Sequence, residues 1–109
     1  MADRNFLGEF EQMVLLAVVR RGSHAFGLDV RRELERQADR QVSRGGFYTT
    51  LERLEKKGYL SWEEAVPPDY GRKEPQRRFS VTPEGVLALR RSREALMNLW
   101  DGFEGHLEG

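Results

Sequence analysis

Apolar residues recur at intervals of three and four positions near the start of the chain, which predicts a helix from about Gly8 to Arg21 that ends at Gly22. One face of this helix carries Leu7, Phe10, Met13, Val14, Ala17 and Val18, and the far side carries Leu15, Leu16 and Val19. A surface helix needs only one apolar face. The pattern indicates either a central core helix or a helix whose far side meets another subunit or the C-terminal helix.

A weaker stripe predicts a second helix from about Phe26 to Ala38, with an inner face formed by Leu28, Val30 or Arg31, Leu34 and Ala38. Charged residues fill most of the positions between these apolar residues. The stripe therefore indicates a supporting helix. Gln41 and Val42 then form a short extended link to the next element.

The strongest helical pattern runs from Ser43 to Gly58. Ser43 is a suitable N-cap, and Gly58 is a suitable left-handed stop. The inner sector holds Phe47, Leu51, Leu54 and Gly58, and the opposite sector holds Gly45, Thr49, Glu52, Arg53 and Lys56. Tyr48 lies on the flank, where its ring can lean on the domain while its hydroxyl reaches outward. A solvated surface helix shows the same pattern, but a helix of this kind after a short link is also the second element of a helix-turn-helix.

Alternation of apolar positions predicts a β-hairpin after this helix. Residues 59–66 form the first strand, the loop begins at Pro67 and Pro68, and residues 76–81 form the returning strand. The tip and the return carry four cations interleaved with Tyr70 and Phe79, namely Arg72, Lys73, Arg77 and Arg78. This composition is typical of a wing that follows a phosphate backbone, and the alternative is a solvated loop.

The last helix begins at Thr82 as N-cap and Pro83 in the first turn. A narrow apolar seam continues through it with a break at Arg93, and it consists of Val86, Leu89, Leu96, Trp100, Phe103 and Leu107. Such a seam is typical of a helix that pairs with a partner, and packing back on its own domain is the alternative. Gly102 and Gly105 weaken the end of the helix.

Charge and composition narrow the function. The 109 residues contain 18 Lys or Arg, 18 Asp or Glu and no Cys, so disulfides and thiolate metal sites are excluded. The charge is uneven: residues 20–57 carry ten cations and six acids, whereas residues 94–109 carry four acids and no Lys or Arg. The longest apolar run, residues 13–19, is too short to cross a bilayer, and the N-terminus lacks a signal-peptide pattern, so we expect no membrane contact and a cytoplasmic protein.

Candidate catalytic groups are sparse. His24 and His106 are far apart in sequence, and the carboxylates mostly alternate with arginines as solvated pairs. The pair Gly45-Gly46 lacks the spacing and the Lys-Ser/Thr pair of a phosphate-binding loop. The sequence therefore predicts a protein that is not an enzyme and has no cofactor and no metal.

Several short motifs resemble the PadR family of transcriptional regulators. They comprise residues 7–11 (LGEFE) with 15–17 (LLA), residues 25–27 (AFG), Ser43 with Gly45 and residues 48–58 (YTTLERLEKKG), and Gly71-Arg72 ahead of residues 77–79 (RRF) and 81–82 (VT). The resemblance covers about residues 7–85, and its densest part is the run from Tyr48 to Gly58. The family often has Tyr where Phe26 stands, and Glu74 and Pro75 interrupt a stretch that is usually basic, so wing contacts are expected to be fewer.

The resemblance implies a mainly α, α+β winged-helix fold. It consists of a three-helix helix-turn-helix core with a two-stranded wing over residues 1–82 and a C-terminal dimerisation helix over residues 83–109. It also implies a homodimeric repressor that releases double-stranded DNA, expected to be a pseudo-palindromic operator, when an effector binds. Because one helix follows the wing, as in the short subgroup, there is no room for a separate effector domain.

These expectations assign the site residues. The recognition-helix residues are Arg44, Tyr48, Thr49 and Arg53, of which Arg53 is best placed for a base edge, while Tyr48 and Lys56 suit phosphates. The wing residues Arg72, Lys73, Arg77 and Arg78 are expected to follow the backbone. A dimer or small-aromatic-effector surface is assigned to Phe10, Leu89, Leu96, Trp100, Phe103 and Leu107, with Trp100 either packed or lining a slot for a flat ligand. The alternative function is a winged helix that binds another protein rather than DNA, which neutral net charge favours.

Overall fold

Four helices and one antiparallel hairpin make up the computed structural model of the chain, which describes residues 6–68, 74–103 and 105–106. Their order is α1 (Glu9–Arg21), α2 (Gly27–Ala38), α3 (Arg44–Lys56), β1 (Leu60–Ala65), β2 (Gln76–Val81) and α4 (Pro83–Asp101). A short 3-10 turn, Gly22–His24, joins α1 to α2. This is a winged helix, so the predicted fold class is confirmed.

Helix α1 is the centre of the core. The Glu11 carboxylate accepts a hydrogen bond from the Gly8 amide at 2.9 Å, which satisfies one of the free N–H groups at the start of the helix. Val14, Leu15 and Val18 are buried, whereas Leu16 and Val19 are exposed. The predicted far face is therefore divided: Leu15 lies in the core and the other two residues face outward.

Helix α2 differs from the prediction in two positions. Val30 and Leu34 are buried as expected, but Leu28 is 41% exposed and Glu33 is only 4% exposed. Glu33 is tolerated inside because it accepts hydrogen bonds from Arg20 at 2.7 Å and from Gln37 at 3.2 Å and also pairs with Arg36. The predicted inner stripe was thus wrong at Leu28 and missed the carboxylate that holds α2 to α1.

Helix α3 has the limits and the buried face that its sequence predicts. The Ser43 hydroxyl accepts a hydrogen bond from the Gly46 amide at 3.1 Å, and Gly58 has a φ of 81°, which favours glycine. Phe47, Leu51 and Leu54 are buried in the core. Since these residues anchor one side of the helix, the opposite side remains available for a partner.

The hairpin pairs Leu60 with Val81 at its base and Ala65 with Gln76 at its far end. One face of the ladder packs on the core, and Phe79 on that face is only 4% exposed. The Phe79 amide also donates to the Ala25 carbonyl at 2.8 Å, so the segment before α2 runs beside β2. Phe79 therefore lies on the returning strand as predicted, with its side chain in the core rather than beside the wing cations. The loop residues 69–73, which include Tyr70, Arg72 and Lys73, lie outside the described residues.

Helix α4 begins as predicted, with the Thr82 hydroxyl accepting a hydrogen bond from the Gly85 amide at 3.0 Å. Three small residues, Gly85, Ala88 and Ser92, are its buried positions. A Cβ atom on Gly85 would lie 2.3 Å from the Tyr59 carbonyl oxygen, so only glycine permits this close approach. From Arg93 onward no described residue of α4 is buried.

The second half of α4 extends beyond the core. The radius of gyration is 15.7 Å, compared with about 13 Å for a compact domain of this length. A helix of 19 residues is about 28 Å long, and its burial ends at Ser92. No helix in residues 6–68, 74–103 and 105–106 has the length and apolar character needed to cross a membrane.

Candidate nucleic-acid interface

The exposed side of α3 is a polar ridge formed by Gly45, Thr49, Glu52 and Lys56. Open depressions flank it on both sides. Thr49, Glu52, Arg53 and Lys56 line one depression together with Lys57 and Tyr59. The other is a cleft of about 530 Å³ between α2, α3 and the hairpin. A ridge with a groove on each side is the shape that a helix presents when it enters the major groove of DNA.

Tyr48 stands on the hairpin side of this ridge. Its ring meets Phe47 edge-on at 5.2 Å between centroids, and the Arg44 guanidinium carbon lies 5.9 Å from the Tyr48 ring centre. A Cβ atom on Gly27 would lie 2.8 Å from the Tyr48 hydroxyl oxygen, so the ring extends across the first turn of α2. The ring leans on the domain as predicted, and the hydroxyl lies beside the start of α2.

Arg77 joins the hairpin to the same cleft. Its guanidinium carbon lies 4.3 Å from the centre of the Trp62 ring, and the Trp62 indole N–H donates to the Glu55 carboxylate at 3.0 Å. This chain of contacts holds the Arg77 side chain against the wing and links the wing to α3. Arg77 therefore shares the cleft with Arg44 and Tyr48, as the predicted interface requires.

Arg78 occupies a different position from Arg77. Successive residues of a strand point to opposite faces, and Arg78 pairs with Glu63 on the side of the hairpin away from the core. That ion pair holds the Arg78 guanidinium beside a carboxylate. Of the four wing cations in the prediction, Arg77 is brought to α3, Arg78 is not, and Arg72 and Lys73 lie outside the described residues.

Arg53 lies on the opposite flank of α3 from Tyr48. It borders a depression shared with Thr49, the α2–α3 turn and Arg40. The Arg40 guanidinium carbon lies 5.6 Å from the Phe10 ring centre, and its Nη1 atom is 3.5 Å from a Glu9 carboxylate oxygen. Arg40 is not among the predicted contact residues. Its position in the turn just before the Ser43 cap is the signal that would have found it, because this turn comes close to the ridge.

Lys56 and Lys57 have different environments although they are adjacent. The Lys57 ammonium lies 2.7 Å from a carboxylate oxygen of Glu11, which ties the end of α3 to the start of α1. Burial alone would raise the pKa of Glu11. The hydrogen bonds from Lys57 and Gly8 and the charges of Lys57 and Arg53 together outweigh burial, so the pKa lies below its ordinary value. Within the described ranges Lys56 has no ion pair, which leaves its charge available to a partner.

Cations outnumber acids around the ridge. The ridge carries Lys56, and Arg40, Arg44, Arg53 and Arg77 surround it, whereas Glu52 and Glu55 are the acids on α3 itself. In the described part of the chain no cluster of three His, Asp or Glu side chains is arranged to hold a metal ion. The surface is therefore suited to an anionic polymer with spaced charges.

The predicted dimer or effector residues lie mostly at the far end of α4. Trp100 and Phe103 are 46% and 48% exposed, and their ring centres are 5.8 Å apart. Leu96 is also exposed, whereas Leu89 packs against the core of its own chain. Phe10 lies on α1, where it packs against that core beneath Arg40. Leu107 lies outside the described residues.

Solved structures with this fold include several regulators. The chain is similar to a PadR-like transcriptional regulator from Bacillus cereus, with 16% identity, a TM-score of 0.75, and coverage of 92% of each chain. A PadR family transcriptional regulator from Eggerthella lenta gives 24% identity and a TM-score of 0.66, covering 92% of this chain and 87% of that one. The winged-helix DNA-binding protein F93 from STIV gives 22% identity and a TM-score of 0.67, covering 84% and 90%. At these identities the likeness shows the fold.

The sequence itself identifies the family. No curated protein matches the chain significantly in sequence. The sequence model of the transcriptional regulator PadR-like family matches residues 15–91, which is more than half of the chain and includes α2, α3, the hairpin and the start of α4. Members of this family are transcriptional regulators and not enzymes, which confirms the prediction of a non-enzymatic protein. The chain therefore belongs to the PadR-like family of transcriptional regulators, as its motifs indicated.

Proposed function

We propose that the chain is a homodimeric, sequence-specific repressor of transcription that binds a pseudo-palindromic operator in double-stranded DNA through α3 and the hairpin. The observation that carries the proposal is the convergence of Arg44, Tyr48 and Arg77 on one side of the exposed α3 ridge, with Arg53 on the other. When such a ridge enters the major groove, its flanks face the two phosphate walls. The family assignment supports this role, and the protein is proposed to act in the cytoplasm, where its DNA target lies.

We propose that some residues of the ridge and its flanks contact bases and that others contact phosphates. Thr49 on the ridge and Arg53 at its edge face the bases, and Arg53 suits the paired acceptors of guanine. Arg44, Tyr48 and Arg77 on the flank and Lys56 at the C-terminal end of the ridge face phosphates, and Arg72 and Lys73 extend this contact along the wing. Arg78 is proposed to approach the backbone only if its pairing with Glu63 opens. The exposed position of Arg40 adds a phosphate contact on the Arg53 side.

Helix α4 is proposed to form the dimer. Residues 1–82 then form the DNA-binding winged helix, and residues 83–109 form the dimerisation helix, whose first turns also close the core at Ala88. Beyond Ser92 the exposed apolar residues are Leu96, Met97, Leu99, Trp100 and Phe103. A single chain offers nothing to cover this surface among its described residues, and a second copy supplies a matching one.

An effector is proposed to act at the same end of α4. Trp100 and Phe103 are large rings that remain accessible in the single chain. They are either packed directly across the dimer or separated by a slot for a flat aromatic molecule. Direct packing is the preferred arrangement, and binding of a planar aromatic compound that also releases DNA would establish the slot.

Salt dependence separates DNA binding from binding to another protein. The full chain is titrated with duplexes selected from a randomised library, at 50 mM and at 200 mM salt. Because each neutralised phosphate contributes a slope of about −0.9, six contacts across a dimer should weaken binding about 1,000-fold over this range. Binding that changes by less than about threefold, or that shows no preference over random DNA, would contradict the proposal.

Two arginine variants sharpen this test. Arg53→Ala should relax sequence preference and cost about 1 to 3 kcal/mol on the selected duplex. Arg77→Ala should weaken selected and random duplexes alike and reduce the salt slope by about one for each subunit, since it removes a phosphate contact. Arg72→Ala should behave like Arg77→Ala. If Arg53→Ala has equal effects on selected and random DNA, Arg53 does not contact a base.

A further inference from the structure

Glu52 is the unexpected residue of the α3 ridge. It is exposed and borders both depressions, the one that contains Lys56 and the cleft that contains Arg77. A residue that borders both sides of a ridge stands on its crest. If α3 enters a major groove as proposed above, the crest faces the base edges while the flanks face the phosphates.

The Glu52 carboxylate has no partner in the part of the chain that the structure describes. Among the described residues it forms no hydrogen bond and no ion pair, although Lys56 is one helical turn away. Glu55, the other acid on the outer side of α3, has a clear structural role because it accepts a hydrogen bond from the Trp62 indole. Glu52 contributes nothing comparable to the fold, and the phosphates of a DNA partner would repel it.

We infer that Glu52 is a specificity-determining residue that selects a cytosine in each half-site of the DNA target. This inference rests on the proposed function and adds the base that the ridge selects. A carboxylate can only accept hydrogen bonds, and the amino groups of cytosine and adenine are the base donors in the major groove. Its interaction with either amino group would offset the repulsion from the phosphates.

Cytosine is favoured over adenine by the neighbouring atoms. In a C·G pair the cytosine amino group has an acceptor, guanine O6, on one side only. In an A·T pair the adenine amino group lies between two acceptors, adenine N7 and thymine O4, both of which repel a carboxylate. The cationic neighbours Arg53 and Lys56 also reduce the cost of bringing the Glu52 charge into the groove.

Replacement of Glu52 gives a sharp test because two variants predict different preferences. The wild-type chain is used to select duplexes from a randomised library, and competition binding is then measured on four duplexes that differ at one symmetric position. The wild type should prefer cytosine there by about tenfold or more. Glu52→Ala should bind all four duplexes within about twofold of one another. Glu52→Gln should shift the preference to adenine, because an amide can pair with both N6 and N7.

Glu55→Gln is the matched control, since it removes a carboxylate of the same helix that faces Trp62 rather than the crest. It should retain the cytosine preference of the wild type even where overall affinity changes, because Glu55 acts through Trp62 on Arg77, a phosphate contact, and not on base choice. Because Glu52 is exposed and unpaired, its variants should have the thermal unfolding temperature of the wild type, which excludes misfolding as a cause.

Three results would overturn the inference. If Glu52→Ala keeps every base preference and only gains affinity uniformly, Glu52 repels phosphates and reads no base. If the position that responds to Glu52 prefers adenine in the wild type, the assignment to cytosine is wrong. If the wild-type chain selects no duplex at all, the proposed DNA-binding function itself fails and the inference falls with it.

Discussion

Helix α3 and the second half of α4 are both amphipathic, but they differ in what covers their apolar faces. The apolar residues of α3, Phe47, Leu51 and Leu54, are all buried in the core of the same chain. Those of α4 beyond Ser92, including Leu96 and Trp100, are exposed. The two helices have similar sequence periodicity, so periodicity alone does not show which apolar face is buried within its own chain.

This difference suggests separate roles for the two helices. Helix α3 is fixed at its start by the Ser43 cap and at its end by the ion pair between Lys57 and Glu11, which is suited to a surface that must keep its shape. The far half of α4 lacks such anchors among the described residues and presents an exposed apolar surface, which is typical of an interaction site. In the proposed function, α3 binds DNA and the far half of α4 forms the dimer.

Removal of α4 from Glu94 onward should have the largest effect. The truncated chain keeps Gly85, Ala88 and Ser92, so its core should still fold. It should lose the dimer, and its affinity for a two-half-site duplex should fall by about 10²- to 10⁴-fold because the two half-sites are no longer bound together. Sedimentation velocity and DNA titration measure both effects. A truncated chain that still dimerises would place the interface elsewhere.

Trp100→Ala tests the same surface with one side chain. If Trp100 is packed across the dimer, its removal should cost about 3 to 5 kcal/mol of dimer stability, as for buried tryptophans elsewhere. Sedimentation over a range of protein concentrations measures the change in dimer dissociation. An intact dimer that has lost the binding of planar aromatic compounds, monitored by Trp100 fluorescence in a Trp62→Phe background, would instead establish the slot.

Two identical substitutions make the comparison between α3 and α4 direct. Leu54→Ala creates a cavity in the core and should lower the free energy of unfolding by about 2 to 5 kcal/mol at any protein concentration. Leu96→Ala should leave the unfolding of the monomer unchanged and act only at concentrations where the dimer forms. Thermal unfolding at low and high protein concentration distinguishes them. A concentration-independent loss of stability from Leu96→Ala would mean that α4 packs on its own domain.

The smallest expected effect concerns the buried carboxylate that joins α1 to α2. The hydrogen bond from Arg20 lowers the pKa of Glu33; burial opposes this, while Gln37 and Arg36 lower the pKa further, so it lies below the ordinary value of 4.5. The ionised form therefore stabilises the fold above pH 4.5, and this contribution is lost as the pH falls through the lowered pKa. Glu33→Gln should flatten the decline of the unfolding temperature below that pH. Exposed Glu64→Gln serves as the control, and an equal flattening there would exclude a special role for Glu33.

The sequence was most informative where the structure depends on local signals. The limits of α3 follow from the Ser43 hydroxyl and from Gly58, both of which act within a few residues, and the limits of β2 were predicted correctly as residues 76–81. Residues 48–58, the densest part of the resemblance to the PadR family, also lie in α3 and the turn after it. Hydrogen bonds and backbone preferences of this kind depend on residues only a few positions apart, so a short stretch of sequence predicts them.

The errors share one cause, which is dependence on distant partners. Glu33 is buried because Arg20, thirteen positions earlier, reaches it, and Phe79 is in the core because its strand lies beside Ala25. Alternation along the predicted strand puts Arg77 and Arg78 on opposite faces, but only their distant partners show which of them lies near α3: Trp62 holds Arg77 there, and Glu63 holds Arg78 on the other face. None of these pairings has a local signature, so the candidate interface was predicted as a set of residues and not as a geometry.

The most direct test of dimeric DNA recognition is the stoichiometry and footprint of the complex. Sedimentation equilibrium of the full chain with a library-selected duplex gives the number of chains bound, and hydroxyl-radical footprinting gives the spacing of the protected sites. We expect two chains on one duplex, with protected half-sites about one helical turn, or about 10 base pairs, or a multiple of this apart. One chain per duplex with a single protected site, from a protein that is monomeric at the same concentration, would contradict the proposed role of α4.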